Sequence, residues 1–171
     1  MNTDSVTFFK SNQIKTLIND AQLILAVWEI GNPGNIGQII RLAHNVGANK
    51  VVFINEKRDF RESKIKKTAG FSFDQMNWEF ISKDEFLQLL KTDYHLAVLE
   101  TCSGAENIFD TKLPQKTILL AGSESHGVPP GVIEKSKLKV FIPIAGGCKS
   151  MNVSHALAVA SFEWYRQNSE I

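Results

Sequence analysis

LILAVWEIGNPGNIGQIIRLAHNVG, residues 23–47, sets the architecture. Its unbroken aliphatic run at 23–28 reads as a strand buried on both faces. GNPGNIG at 31–37 then breaks the run with glycines and a proline. From about Ile36 to Val46 apolar residues return at helical spacing, with Ile39, Ile40, Ala43 and Val46 inward. Gly47 stands where a left-handed helix cap belongs. A buried strand, a glycine-rich loop and a helix form the repeating unit of a parallel sheet covered by helices.

The pattern continues outward. VVFI at 51–54, EFI at 79–81, HLAVLE at 95–100, TILLAG at 117–122 and LKVFIPI at 138–144 read as further strands. Helices are expected over 11–20, capped by Ser11 or Asn12, and over 82–91, where Ser82 and Glu85 form a capping box. Residues 57–67 read as a short basic helix or loop. Pro129, Pro130 and Gly131 open a short helix, and a long one runs from Asn152 to about Asn168. The fold class is α/β, a mostly parallel sheet flanked by helices on both faces. The chain reads as a single domain over 1–171, with residues 1–21 a short helical extension.

Composition narrows the partners. With 171 residues, 43% hydrophobic and 22% charged, the chain is long enough for a packed core and too apolar to be disordered. Its 19 basic and 18 acidic residues leave +1, so a nucleic-acid partner must be held by a local patch. No apolar run approaches the roughly 20 residues that cross a bilayer. MNTDSVTFFKSN lacks a signal-peptide core. Cys102 and Cys148 are too few for a disulfide framework, and the expectation is a reduced, cytoplasmic protein with both thiols buried or half-buried.

Four strands end in ligand-like chemistry. Glu29 to Asn35, Glu100 to Gly104, Gly122 to Gly127 and Pro143 to Asn152 collect glycines, small hydroxyls and a few polar side chains on one edge. In open α/β sheets that carboxyl edge is where ligands bind. The spacing Gly31-x-x-Gly34-x-x-Gly37 is not the Gly-x-Gly-x-x-Gly of a dinucleotide site, and Pro33 stiffens the turn.

Three segments, NPGNIGQIIRLAHNVGA (32–48), LLAGSESHGVPPGV (119–132) and VFIPIAGGCKSMNVSHALAVA (140–160), resemble the signature motifs of the SpoU family of RNA ribose methyltransferases, in the SPOUT superfamily. KKTAGF at 66–71 is similar to the family's small-residue-Ala-Gly segment. The resemblance covers about residues 22–166. It implies methyl transfer from S-adenosyl-L-methionine to a ribose 2′-hydroxyl, a C-terminal deep trefoil knot, and a homodimer sharing its active sites. By position it makes Asn35, Arg41, Glu124, Ser150 and Asn152 catalytic candidates. Thr101, Gly122, Ile142, Ile144 and Met151 become candidates for the cofactor pocket. A sulfonium methyl is already activated, so this chemistry calls for no metal. The family's proposed proton acceptor is Arg41. A guanidinium stays charged, which favours a clamp on the neighbouring phosphate that also stabilises developing alkoxide charge.

KRDFRESKIKK at 57–67 carries six basic and two acidic residues, a local +4. Its Arg58, Arg61, Lys64, Lys66 and Lys67 are the candidate RNA contacts, and Phe60 either packs or stacks on a base. His126 reads as a solvated loop residue, and His44 and His155 as packing or surface groups. Phe162 and Trp164 give the final helix apolar surface beyond core need, expected at a dimer contact. Compact relatives of the resembled family mostly modify transfer RNA, so tRNA is favoured over rRNA. A non-catalytic RNA-binding module is the competing class. Calorimetric titration with S-adenosyl-L-methionine separates the two, because the module would bind none.

Overall fold

The computed structural model describes residues 4–123, 125 and 127–170. Seven strands form one sheet: β2 (Gln22–Trp28), β3 (Lys50–Ile54), β4 (Trp78–Ile81), β5 (His95–Leu99), β6 (Glu106–Asn107), β7 (Lys116–Gly122) and β8 (Leu138–Phe141). Their order is β4-β3-β2-β7-β5-β8-β6, and every pairing is parallel. The long aliphatic strands dictate this. Leu23, Leu25 and Val27 face one hydrophobic cluster, and Ile24, Ala26 and Trp28 the other. A strand apolar on both faces is stable only between two helical layers.

The first layer contains α2 (Pro33–Val46), α3 (Glu62–Ala69), α4 (Ser72–Gln75) and α7 (Val153–Gln167). The second contains α5 (Lys83–Leu89) and α6 (Pro130–Ile133). Helix α2 begins three residues earlier than the apolar spacing suggests. Pro33 needs no amide partner at the first turn, and Asn32 caps it by accepting from the Gly34 amide at 2.7 Å. Gly47 closes it in the left-handed region, φ 75°. The capping box on α5 is present as read, with Ser82 and Glu85 exchanging both bonds. The expected strand at 138–144 stops at Phe141, ahead of Pro143, which has no amide to give a neighbour.

The N-terminal expectation fails. The helix is α1 (Ser5–Ser11), not 11–20. Asp4 caps its start, and the side chains of Ser11 and Asn12 turn back to the Phe8 carbonyl, so they end the helix instead of opening one. Beyond it, β1 (Thr16–Leu17) pairs antiparallel with β9 (Ser169–Glu170). Tyr165 Oη donates to the Lys15 carbonyl on the same seam. A two-residue strand carries no periodicity, and its partner lies at the far end of the chain. No helix among the described residues is long and apolar enough to cross a membrane. Cys102 is half-buried, but Cys148 is exposed, contrary to the packed-thiol expectation, because it sits on the glycine-rich turn after β8.

Helix α7 is fastened at its C-terminal end. Trp164 is fully buried and donates through Nε1 to the Pro114 carbonyl at 2.8 Å, so it belongs to the core and only Phe162, 47% exposed, is surplus. Glu163 is buried and accepts from Arg166 Nε at 2.8 Å, Arg166 Nη2 at 2.7 Å and Gln167 Nε2 at 2.7 Å. Gln167 also binds the Leu113 amide and the Thr111 carbonyl, which ties the segment before β7 to α7. The Arg166 guanidinium holds the Glu163 carboxyl below the ordinary glutamate range. A carboxyl depressed on folding adds stability above its unfolded value and loses it as pH falls through the folded one. Glu163→Gln should therefore cost about 1–2 kcal/mol in urea unfolding at pH 7, and the difference should shrink as pH falls through the folded carboxyl's range.

Candidate active site

The chain reverses direction across β7. β2, β3 and β4 run outward on one side, and β5, β8 and β6 on the other, so the carboxyl ends around β7 form a topological switch point. Here Trp28 pairs with Gly122, and Leu99 with Ala121 and Val140. The chain then folds back on itself. Ser123 donates to the Trp28 carbonyl at 2.9 Å, and the Gly127 amide to the Ser123 carbonyl at 3.0 Å. A Cβ on Gly122 would lie 2.1 Å from the Gly127 carbonyl carbon, so only glycine fits. Gly127 adopts φ 64°, and a Cβ there would meet Glu100 Oε2 at 2.8 Å. Glu100 steadies the turn by accepting from the Val128 amide at 3.2 Å and from the Thr101 amide at 3.0 Å.

A cleft of about 280 Å³ opens against this turn. Thr101, Gly122, Ile142, Ile144 and Met151, the five expected cofactor residues, all line it, and so does Ser150. Three segments far apart in sequence meet there: 99–101; 121–123 with 125 and 127; and residues between 141 and 156. The lining also includes Glu100, Ser123, Ser125 and Lys149, from the ligand-like strand ends, and Phe141, from the strand itself. Glu100 was legible as the polar end of a buried strand. Its two amide contacts were not, because they depend on where the 122–128 turn lands.

Asn35 and Asn152 meet beside the cleft. Asn152 Nδ2 donates to Asn35 Oδ1 at 3.2 Å across 117 positions of chain. Asn152 lies between Met151 and Val153, which both line the cleft. It also caps α7, with its Oδ1 accepting from the Ser154 amide at 2.9 Å. One side chain thus caps the helix and holds Asn35. The Ser154 hydroxyl lies 2.6 Å from Asn152 Oδ1 and 2.7 Å from Gln38 Oε1, locking α7 onto α2. Asn35 is buried.

Arg41 is placed differently. It lies six residues beyond Asn35 on α2, is exposed, and does not line the cleft. Among the described residues it makes no hydrogen bond or ion pair. Its neighbours on the helix locate it. Gly37, one turn before, packs against α3 so closely that a Cβ would sit 2.3 Å from the Ile65 carbonyl. Thr68 bonds the Gly34 carbonyl at 3.1 Å. The small-residue segment at 66–71 is thus the counterpart of Gly37 in a close helix contact. Glu124 and His126 lie outside the described residues.

The basic segment resolves into two kinds of residue. Arg58 bonds the Asn55 carbonyl and approaches Glu85 at 3.7 Å. Lys66 pairs with Glu62 at 2.6 Å and lies over the Phe73 ring. Arg61, Lys64 and Lys67 are exposed, with no ion pair among the described residues. Phe60 stacks on Phe80 with centroids 5.2 Å apart and planes 6° from parallel, so it packs and is not presented to a base.

A wholly parallel sheet with a glycine-walled cleft at its switch point defines an α/β cofactor-binding domain. The model of the SpoU rRNA Methylase family matches residues 22–162, and the chain belongs to that family. It is 25% identical over 153 residues to the tRNA (guanosine(18)-2′-O)-methyltransferase of Aquifex aeolicus (strain VF5), a match covering 86% of this chain and 71% of that protein. It is 29% identical over 156 residues to the 23S rRNA (guanosine-2′-O-)-methyltransferase RlmB of Blochmanniella floridana, covering 90% and 61%. The SpoU methyltransferase AviRb from Streptomyces viridochromogenes has a similar structure, with TM-score 0.79 and 25% identity, covering 89% of this chain and 61% of that one. The chain therefore spans less than two-thirds of the second and third of these.

The cleft yields a prediction. Gly122→Ala forces the 122–127 turn away from β7, and calorimetry should show S-adenosyl-L-methionine affinity falling at least about 10-fold. A core overpacked in this way loses roughly 1–3 kcal/mol of stability, so a melting curve run alongside should still show a folded protein.

Proposed function

We propose that this chain transfers a methyl group from S-adenosyl-L-methionine to a ribose 2′-hydroxyl of RNA, with tRNA favoured over rRNA. The observation that carries the reading is the convergence of five cofactor-pocket residues on one cleft, directly beside the Asn35–Asn152 pair. The residues suit the cofactor. Ile142, Ile144 and Met151 offer apolar surface for an adenine. Thr101, Ser123 and Ser150 offer hydroxyls, and the Gly122–Gly127 wall brings backbone close, which suits a ligand held by main-chain groups. Bound there, the cofactor supplies a methyl already activated on sulfonium sulfur.

The protein then has to position and to stabilise charge. Holding the 2′-oxygen within about 3–3.5 Å and in line can supply roughly 7–11 kcal/mol. Asn152, fixed by Asn35 and by the α7 cap, borders the place where that oxygen would enter. Arg41, unpaired among the described residues on the outer flank of α2, is suited to a phosphate next to the target ribose, where its charge also steadies the developing alkoxide. Glu124 and Ser150 complete the proposed catalytic set. Arg61, Lys64 and Lys67 extend the positive surface for the RNA backbone. Arg58 and Lys66, already paired, contribute less.

We also propose a cytoplasmic homodimer of single-domain subunits whose C-terminal third is knotted. Phe162, exposed on α7, supports a second copy at that face. β8 enters between β5 and β6, and its continuation shares the cleft with residues 99–101 before it reaches α7, which supports a threaded path. Sedimentation showing a monomer would remove the dimer. An experimental trace with 142–152 passing outside the 99–107 connection would remove the knot.

The deciding experiment is transfer of labelled methyl to total tRNA and to ribosomal RNA, with mass spectrometry for a 2′-O-methyl nucleoside. Methylation of rRNA alone would establish the second reading, which the RlmB relative favours. No transfer and no cofactor binding would leave a non-catalytic RNA-binding module. Arg41→Ala should lower kcat by about 10²–10³-fold while S-adenosyl-L-methionine affinity holds, and loss of that affinity would place Arg41 in the cofactor site. Lys64→Glu with Lys67→Glu should weaken binding to every RNA tested and lower the slope of log K against log salt by about 0.7 or more. An unchanged slope removes these lysines from the interface.

A further inference from the structure

Phe71 is 77% exposed, more than any other large hydrophobic residue described. It is not on a loose loop. Gly70, at φ 58° and ψ −137°, turns the chain sharply between α3 and α4 and lifts Phe71 to the surface at the start of α4. Its ring lies on the His44 imidazole with centroids 6.0 Å apart and planes 26° from parallel. His44 is itself held, with Nδ1 3.0 Å from the buried Ser72 hydroxyl. Ser72 follows Phe71, so one turn of chain fixes both members of the stack.

The surroundings of the ring identify what it would meet. On α2, Gly37 faces α3, and His44 faces Phe71 and Ser72. Arg41 lies between them, one turn from each, on the same flank of the helix. By this spacing Arg41, which has no partner among the described residues, shares the flank of α2 that faces Phe71, and Phe71 itself follows the last turn of α3, which carries Lys67. An exposed aromatic face near cations that are unpaired among the described residues matches an unpaired nucleotide, whose base has a π-face and whose backbone carries the charge.

We propose that Phe71, backed by His44, is a stacking platform for an unpaired base of the RNA substrate, adjacent to the phosphate that Arg41 holds. This rests on the RNA-methylating reading above. It adds a contact to a base where Arg41, Lys64 and Lys67 contact only backbone, and so makes the 66–71 segment part of substrate selection as well as of helix packing. Because the ring is exposed, its removal leaves the core intact.

The test measures RNA affinity of Phe71→Ala and Phe71→Trp by filter binding, S-adenosyl-L-methionine affinity by calorimetry, and mass by sedimentation. RNA oligonucleotides carrying 2-aminopurine at successive unpaired positions report stacking directly. Phe71→Ala should weaken RNA binding about 5- to 100-fold, the loss typical of one stacked base, with cofactor affinity unchanged. Phe71→Trp should restore binding, and wild-type protein should quench one 2-aminopurine position that Phe71→Ala does not. Unchanged RNA affinity in Phe71→Ala overturns the platform. So does a fall in assembly mass that accompanies the loss of binding, because the ring would then belong to a contact between copies. If wild-type protein binds RNA through Phe71 but transfers no methyl to it, the platform stands and the catalytic reading falls.

Discussion

No side chain fits between the carboxyl end of β7 and the turn at Gly127. That steric limit controls the site. β7 is hydrogen-bonded to β2 on one side and β5 on the other, and its last residue leaves the sheet at the switch point. Because Gly122 lets Gly127 fold back against it, the following turn stands as a wall instead of a plug, and Glu100 pins the turn from the neighbouring strand. A bulkier residue at 122 would push the backbone outward into the cleft. Gly37 does similar work one layer away, letting α3 approach α2 to backbone contact.

These two close approaches account for the division of labour at the edge of the sheet. The inner part of the site is a cleft assembled from strand ends and loops. The outer part is a surface of two helices, with Arg41, Lys64, Lys67 and Phe71 along it. The Asn35–Asn152 hydrogen bond stands at the boundary and belongs to both. A neutral hydrogen bond of this kind adds only about 1 kcal/mol to stability. Its value is geometric, since Asn152 is at once the cap of α7, the partner of Asn35 and the neighbour of two cleft residues. The cleft and the basic helical surface are in this way mounted on separate elements that meet at a fixed pair of amides.

Much of this was legible in the residues. Buried aliphatic runs at 23–28, 51–54, 95–99 and 117–121 fixed strand existence and the parallel class, because only a sheet covered on both faces can use them. The family resemblance pointed to five positions, Thr101, Gly122, Ile142, Ile144 and Met151, that the fold brings to one cleft. The short pairings of Thr16–Leu17 with Ser169–Glu170 and of β6 with β8 were invisible, since two residues show no period and long-range partners leave no local trace. For the same reason the N-terminal helix was set too late in the chain. Its true limits depend on Asp4 at one end and on side chains turning back to Phe8 at the other.

By itself, the amino-acid order determined local preferences: which stretches are apolar on two faces, where glycine and proline interrupt them, which residue types gather at the strand ends. Tertiary structure decided what those residues touch. It set Arg41 outside the cleft and Phe60 into a stack with Phe80, and it gave Asn152 a partner 117 positions away. The physical reason is range. Propensity and periodicity act over a few residues, whereas a contact energy depends on distance in space, which only the closed sheet and its packed helices define.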